Sequence, residues 1–260
     1  MNHAPKNCKL KWRTLMLYVL LCLAFTGPGH TDPLPPFTAN YKVLRNGLTI
    51  GKSKVTLEPQ KDGAFLYESL TRAAGILAWV FQKDRIREYS RWEFHNNRIR
   101  PLEYRYENTG KGEERTEHLI FDWNASEIRQ TNREPTWEIH ATEGALDKAT
   151  MNLALMLDLQ QQKKDLTYTI ADDAKYRHYR FHVIDREWIT VPAGRFKTVK
   201  LERIRDKKRR STFFWCAPEL RYLPVRIDRR KDDGTVYRNI LRRTSLKRQT
   251  QAPLTTGKVQ

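Results

Sequence analysis

The segment RIREYSRWEF, residues 85–94, decides the fold class of this chain. Arg85, Arg87 and Arg91 fall on one side of an extended backbone, whereas Trp92 and Phe94 fall on the other. A two-residue period of this kind is typical of a β-strand with one buried face. We therefore predict a strand here, with its polar side in water and its aromatic side in a core.

The same pattern extends along most of the chain. After an Asn-Asn turn at 96–97, the segment 98–106 alternates again, which predicts a hairpin. Turn residues such as Asn-Gly at 46–47 and Pro-Ala-Gly at 192–194 separate the other candidates. Further strands are predicted at 41–44, 54–57, 65–69, 118–123, 126–130, 137–140, 166–170, 176–184, 187–191, 198–204, 212–215, 225–228 and 236–241.

One segment, DKATMNLALMLDLQQQ at 147–162, has the composition of a helix. It lacks Gly and Pro, its Met and Leu residues form a wide apolar band, and Asp147 stands where a charge complements the helix dipole. Such a helix must cover a sheet face or plug a barrel mouth. We predict a mainly β fold: one strongly curved antiparallel sheet or open barrel with one covering α-helix, in a single domain from 37 to 244 and a loose polar tail from 245 to 260.

The N-terminal segment has the order of an export signal. Lys6, Lys9, Lys11 and Arg13 precede an apolar run at 14–25, and small or turn-forming residues follow. A membrane span needs about 20 apolar residues, so this run is short. We predict a signal peptide at 1–30 and a periplasmic protein; the alternative is an uncleaved segment that anchors the chain in the inner membrane.

Charge and cysteine content describe the remaining chain. The protein has 48 basic and 30 acidic residues, and without the four basic residues of the signal its net charge is +14. An exported basic protein is expected to meet anionic envelope surfaces rather than nucleic acid; the alternative is an Arg-rich surface that is only solvated. Only Cys216 remains after signal removal, so no internal disulfide is expected, and its aromatic neighbours predict a buried, inert thiol.

No motif points to catalysis, a cofactor or a metal. GLTIGKS at 47–53 lacks the spacing of a phosphate loop and precedes a strand instead of a helix. His178 and His182 would lie about 13 Å apart on one side of a strand, too far to share a metal ion. We therefore expect a non-enzymatic protein without a bound cofactor; the alternative is an enzyme whose Asp, His or Tyr site carries no recognisable motif.

The apolar stretch AAGILAWVF, residues 73–81, is the candidate contact site. Basic residues surround it, so it is either a buried core segment or an apolar rim that touches lipid or an apolar ligand while arginines engage phosphate. The candidate residues are Ile76, Leu77, Trp79, Phe81, Arg85 and Arg87.

Two late blocks carry a resemblance to a known family. Two blocks resemble parts of the bacterial domain of unknown function 3108 family: VPAGRFKTVKLE at 191–202 and FWCAPELRYLPVRI at 214–227. Three earlier segments, at 41–51, 100–104 and 147–159, occur in the order expected for that family. The similarity covers most of residues 37–241. It implies an exported, β-rich envelope protein of Gram-negative bacteria and carries over no catalytic residue. A lipocalin-like or lipoprotein-carrier-like half-barrel is the corresponding fold analogy.

Two functions follow as hypotheses. The first is a periplasmic binding protein whose curved sheet holds an apolar or lipid-like ligand. The alternative is a structural or interaction protein that docks on an anionic envelope glycan or an envelope complex through its Arg-rich faces.

Overall fold

In the part of the chain that the structure describes, fourteen strands and one α-helix build the fold. The structure, a computed structural model, describes residues 34–74, 85–110, 112, 114–131, 136–204 and 210–249. The elements are β1 (Phe37–Arg45), β2 (Leu48–Pro59), β3 (Phe65–Ala73), β4 (Arg85–His95), β5 (Arg98–Asn108), β6 (Arg115–Asp122), β7 (Glu127–Gln130), β8 (Glu138–His140), α1 (Thr150–Gln160), β9 (Thr167–Ala171), β10 (Tyr176–Val191), β11 (Gly194–Ile204), β12 (Ser211–Ala217), β13 (Leu223–Arg230) and β14 (Val236–Thr244).

All fourteen strands belong to one antiparallel sheet. Its order is β8-β7-β6-β5-β4-β3-β2-β1-β14-β13-β12-β11-β10-β9. Two runs of consecutive neighbours, β1 to β8 and β9 to β14, therefore meet at one seam, where β1 pairs with β14 and Tyr41 lies opposite Leu241. The Tyr41 hydroxyl donates to the Pro224 carbonyl oxygen at 2.9 Å, which ties this seam to β13.

The alternation read from the sequence explains which face of the sheet is buried. Trp92, Tyr104 and Leu119, on β4, β5 and β6, are fully buried and share one hydrophobic core with residues of α1. Trp92 stacks on Phe65 with ring centroids 4.7 Å apart. Alternate residues on these strands remain in water, as expected for a sheet with one solvated face.

The helix α1 is buried over most of its surface. Met151, Leu153, Leu155, Met156, Leu157 and Leu159 are each at most 6 % exposed, whereas the polar residues Asn152, Asp158 and Gln160 are half-buried. Its Met and Leu side chains belong to the same hydrophobic core as Trp92, Tyr104 and Leu119, so α1 covers the buried face of the sheet.

The linker before α1 protects the end of the sheet at β9. Leu146 forms a bridge to Ile170, with its N–H donating to the Thr169 oxygen and its own oxygen accepting from the Ala171 N–H, both at 2.9 Å. The Tyr176 hydroxyl of β10 donates to the His140 oxygen of β8 at 2.6 Å. The two ends of the sheet therefore approach each other, although β8 and β9 do not pair within the described residues.

The predicted fold class is confirmed, with two differences of detail. The segments 176–184 and 187–191 form one long strand, because an irregularity between Val183 and Asp185 shifts the register without ending the pairing. The helix begins at Thr150, and Asp147 precedes it as a capping residue.

The chain ends are described only in part. The signal segment 1–30 lies outside the described residues. Of the predicted tail, Ser245 donates its N–H to the Thr38 oxygen and Gln249 donates its N–H to the Glu219 oxygen, and residues beyond Gln249 lie outside the described part. Among the described residues, no helix has the length and apolar character to cross a membrane.

Candidate functional site

The structure describes only two of the six predicted site residues. Ile76, Leu77, Trp79 and Phe81 lie outside the described residues, so whether they form a core segment or an apolar rim stays a prediction.

The other two lie at the start of β4, on the outer face of the sheet. Arg85 forms an ion pair with Glu107 at 3.0 Å, and Arg87 forms one with Glu68 at 2.7 Å. Both guanidinium groups therefore have a carboxylate partner.

The register of the sheet places Arg85 at the end of a row of cations. Arg85 lies opposite Arg72 on β3, Arg72 lies opposite Lys52 on β2, and Lys52 lies opposite Lys42 on β1. Directly opposed residues point to the same face of a sheet, and adjacent strands lie about 4.8 Å apart. Four basic side chains thus line up across four neighbouring strands, over about 14 Å.

A second row lies one step along the strands. Arg87 is opposite Leu70, Leu70 is opposite Lys54, Lys54 is opposite Asn40, and Asn40 is opposite Arg243 of β14. This row is on the same face because its members are two residues from those of the first row. We call the surface formed by both rows the basic face: Lys42, Lys52, Lys54, Arg72, Arg85, Arg87 and Arg243.

Most cations of the basic face have no carboxylate partner. Within the described residues, Lys42, Lys52, Lys54 and Arg72 form no ion pair, and all but the half-buried Lys42 are exposed. Like charges placed directly opposite each other in a sheet destabilise the pairing. Lys42, Lys52 and Arg72 therefore repel one another across three neighbouring strands.

A cluster of charged side chains, separate from the basic face, lies beside the start of α1. The Lys148 ammonium contacts Glu117 at 2.8 Å and Asp172 at 2.6 Å, and Arg177 also reaches Asp172 at 2.6 Å. Burial alone would lower the pKa of Lys148, but the two carboxylates outweigh it and the pKa is raised. Glu117 is 3 % exposed, and its Oε1 atom has no hydrogen-bond partner among the described residues.

Asp147 connects this cluster to the helix. Its Oδ1 atom accepts hydrogen bonds from the N–H groups of Ala149 and Thr150 at 2.8 and 2.7 Å, and its Oδ2 atom accepts one from the Ser90 hydroxyl at 2.6 Å. Asp147 is fully buried, and this burial raises its pKa to about 6. These contacts are those of a helix cap and of an anchor between α1 and β4.

The remaining chemical candidates lie where the sequence predicts. Cys216 is fully buried, and burial raises the pKa of its thiol far above the ordinary value, so the thiol stays protonated. His178 and His182 are exposed on β10. In the part of the chain that the structure describes, no group of three or more His, Cys, Asp or Glu side chains is arranged to hold a metal ion.

A family model described as a protein of unknown function, DUF3108, matches residues 37–241. The chain belongs to the DUF3108 family. This match confirms the resemblance found in the blocks at 191–202 and 214–227. No curated protein matches the sequence of this DUF3108 protein.

Three solved structures are similar to this DUF3108 protein at low identity. A β-barrel-like protein of the DUF1849 domain from Brucella abortus is 11 % identical, with a TM-score of 0.48 over 84 % of this chain and 99 % of that one. A protein described as exported, with a YmcC-like fold, from Bacteroides fragilis is 9 % identical, with a TM-score of 0.34 over 80 % and 95 %. A protein described as a lipoprotein from Parabacteroides distasonis is 10 % identical, with a TM-score of 0.32 over 82 % and 96 %.

Sequence reasoning missed most of the basic face of this DUF3108 protein. Lys42, Lys52 and Arg72 are far apart in the chain and become neighbours only through strand register. The sequence does contain one indication of this face, because Lys42, Lys52 and Arg72 each lie on the polar side of a strand in which polar and apolar residues alternate. Placing the three side by side requires the pairing of β1, β2 and β3, which short segments of sequence do not specify.

Proposed function

We propose that this DUF3108 protein is an exported, non-enzymatic protein of the cell envelope that docks on an anionic surface through its basic face. The row from Lys42 through Lys52 and Arg72 to Arg85 is the observation that carries the proposal. A row about 14 Å long matches repeated phosphate or carboxylate groups on a surface better than one small anion. The net charge of +14 after signal removal attracts such a surface from a distance.

The signal-like segment at 1–30 supports the periplasmic location, because it would bring the domain to the envelope. The alternative of an anchored N-terminus places the same domain beside the inner membrane. Cell fractionation with an antibody to the domain distinguishes them, since carbonate washing releases a cleaved protein and leaves an anchored one in the membrane pellet.

The first hypothesis, an apolar or lipid-like ligand inside the curved sheet, stays a prediction. The Met and Leu side chains of α1 share one hydrophobic core with the buried residues of the sheet. Docking through the basic face leaves the packing of α1 on the sheet unchanged. A ligand inside the sheet would need space beside α1, so we favour the docking hypothesis.

The test measures binding to vesicles. The purified protein is sedimented with vesicles that contain 30 mol % anionic phospholipid, which are the main probe. Vesicles of neutral phospholipid are the control, and beads that carry an anionic polysaccharide are a second anionic probe. We expect binding to an anionic probe that weakens as salt is added. A basic residue near an anionic membrane contributes about 1 kcal/mol, so the double variant Lys52→Gln, Arg72→Gln should bind about 30-fold more weakly.

A matched control separates the basic face from overall charge. Lys164 and Lys175 are exposed and lie outside the basic face, and the double variant Lys164→Gln, Lys175→Gln loses the same two charges. It should lose much less affinity. Equal losses in the two double variants, or no binding of the unmodified protein to any anionic probe, would refute the proposal.

A further inference from the structure

The strand β10 has a free edge along most of its length. It pairs with β11 from Arg180 to Val191, but with β9 only from Tyr176 to Arg180. The last contact on the β9 side is the Phe181 N–H, which donates to the Leu166 oxygen at 3.0 Å. Beyond it, no strand of the described chain pairs with residues 182–191 on this side. A strand with an unpaired side presents hydrogen-bonding groups that can pair with another chain.

The alternation of an antiparallel ladder identifies the free groups. Val191 and Gly194 close the two-residue turn between β10 and β11 and form a hydrogen-bonded pair. Counting back from this pair, Arg186, Trp188 and Thr190 direct their N–H and C=O groups away from β11 and toward the free edge. The Arg186 N–H donates to the Asp185 Oδ1 atom at 2.7 Å, so an added strand would pair with Trp188 and Thr190 and with the carbonyl oxygen of Arg186.

The side chains of this edge are unusually apolar for an exposed strand. Val183, Ile184 and Trp188 are 47, 46 and 57 % exposed, and they make up three of the five large hydrophobic residues exposed in the described chain. Natural edge strands are normally protected by charge, by proline or by a covering element. This edge carries the charged residues Asp185 and Arg186 and still keeps Trp188 exposed, an arrangement suited to a partner with both apolar and charged side chains.

The charges around Trp188 define the partner. Lys197 lies opposite Trp188, Arg195 lies opposite Thr190, and the Arg195 guanidinium lies 4.9 Å from the centre of the Trp188 ring. Arg186 points to the same face by alternation. Within the described residues, none of these three cations forms an ion pair, whereas Glu187, on the opposite face, pairs with Lys200 at 3.0 Å.

We infer that the free edge of β10 binds an extended acidic segment of a partner protein by strand addition. The backbone of the partner pairs with Trp188 and Thr190 and with the carbonyl oxygen of Arg186. Its apolar side chains contact Trp188 and Ile184, and its carboxylates meet the side chains of Arg186, Arg195 and Lys197. A second copy of this chain is a poorer occupant because it would bring the same three cations against their equivalents. The inference does not depend on docking by the basic face.

The test uses two peptides. One is a blocked nine-residue peptide that alternates valine and glutamate, and the other alternates valine and lysine. Isothermal titration should show that the acidic peptide binds at least tenfold more tightly. Amide hydrogen exchange should show new protection at residues 188 and 190 when the acidic peptide is bound.

Substitutions locate the contact. Thr190→Pro removes a donor from the free edge, where proline is tolerated, and should weaken binding at least tenfold. Trp188→Thr keeps every backbone group and is the second variant if Thr190→Pro reduces the thermal stability; it should weaken binding three- to tenfold. Arg195→Glu should reduce the preference for the acidic peptide.

Three results would overturn the inference. In the first, the acidic peptide does not bind, and in the second, both peptides bind equally well. The third result is a concentration-dependent dimer in sedimentation that Thr190→Pro abolishes. The last result would assign the edge to a second copy of the chain.

Discussion

The substitution Asp147→Asn should change how the stability of the protein depends on pH. Asp147 is fully buried and caps α1 through the N–H groups of Ala149 and Thr150. Asparagine has nearly the same shape, and its side-chain oxygen can accept the same two hydrogen bonds while its amide donates to Ser90. The substitution therefore removes the ionisation and keeps the cap.

The magnitude follows from the pKa of Asp147. Burial raises it from 3.8 to about 6. Because the folded state holds this proton more tightly than the unfolded state, Asp147 lowers the free energy of unfolding as the pH rises between these values. The full difference is about 3 kcal/mol, of which about 2 kcal/mol falls between pH 4.5 and 7.5. The asparagine side chain does not ionise, so the variant should gain about 2 kcal/mol relative to the original protein over this interval.

The assay is urea unfolding of both proteins at several pH values, followed by tryptophan fluorescence. The informative quantity is the change with pH in the difference between the two proteins, because a constant difference reflects only altered hydrogen bonds. Buried carboxyl groups that do not interact with Asp147 affect both proteins equally and cancel. The charge of Glu88 raises the pKa of Asp147, so Glu88 should ionise more readily in the variant and add to the same trend. A difference that stays constant, or that changes in the opposite direction, would show that Asp147 is ionised without cost and would refute the reasoning.

Two further predictions concern buried groups. Lys148→Met should destabilise the protein by about 2 kcal/mol in urea unfolding, because it removes the nearer cation of the buried Glu117 and leaves, among the described residues, only the Arg115 guanidinium, at 3.3 Å. Lys164→Met is the exposed control, and an equal effect of both substitutions would argue against the buried ion pair. Cys216 should resist iodoacetamide at pH 8 in the folded protein and react once it is unfolded, because its thiol is fully buried and its pKa is raised by that burial; modification of the Cys216 peptide in the folded protein, detected by mass spectrometry, would contradict this.

Local sequence predicted the elements of this fold better than their arrangement. Strands β4 and β5 were predictable because the arginines of residues 85–91 alternate with residues of the side that carries Trp92 and Phe94, and an Asn-Asn turn at 96–97 precedes the second strand. The long strand β10 was divided in two because its irregularity at Val183–Asp185 interrupts that alternation. The helix was predicted three residues too early because Asp147 has the chemistry of a cap, which lies outside the helix it stabilises.

The candidate site was less accessible to sequence reasoning for a physical reason. An apolar run such as residues 73–81 attracts attention because it is continuous in the chain. The basic face is continuous only in space, since Lys42 and Arg72 become members of one row through two strand pairings. The free edge of β10 is equally hidden, because it depends on where β9 ends.

The seam between β1 and β14 has a consequence for how the chain folds. Every other pairing in the sheet joins strands that are consecutive in sequence, so each half can form from local hairpins. The seam instead joins Tyr41 to Leu241, and closing a loop of about 200 residues costs about 3 kcal/mol more chain entropy than closing a four-residue turn. We therefore expect β1 to β8 and β9 to β14 to form first and to join last. Until the seam closes, β1 and β14 are unpaired edge strands that can pair with another chain.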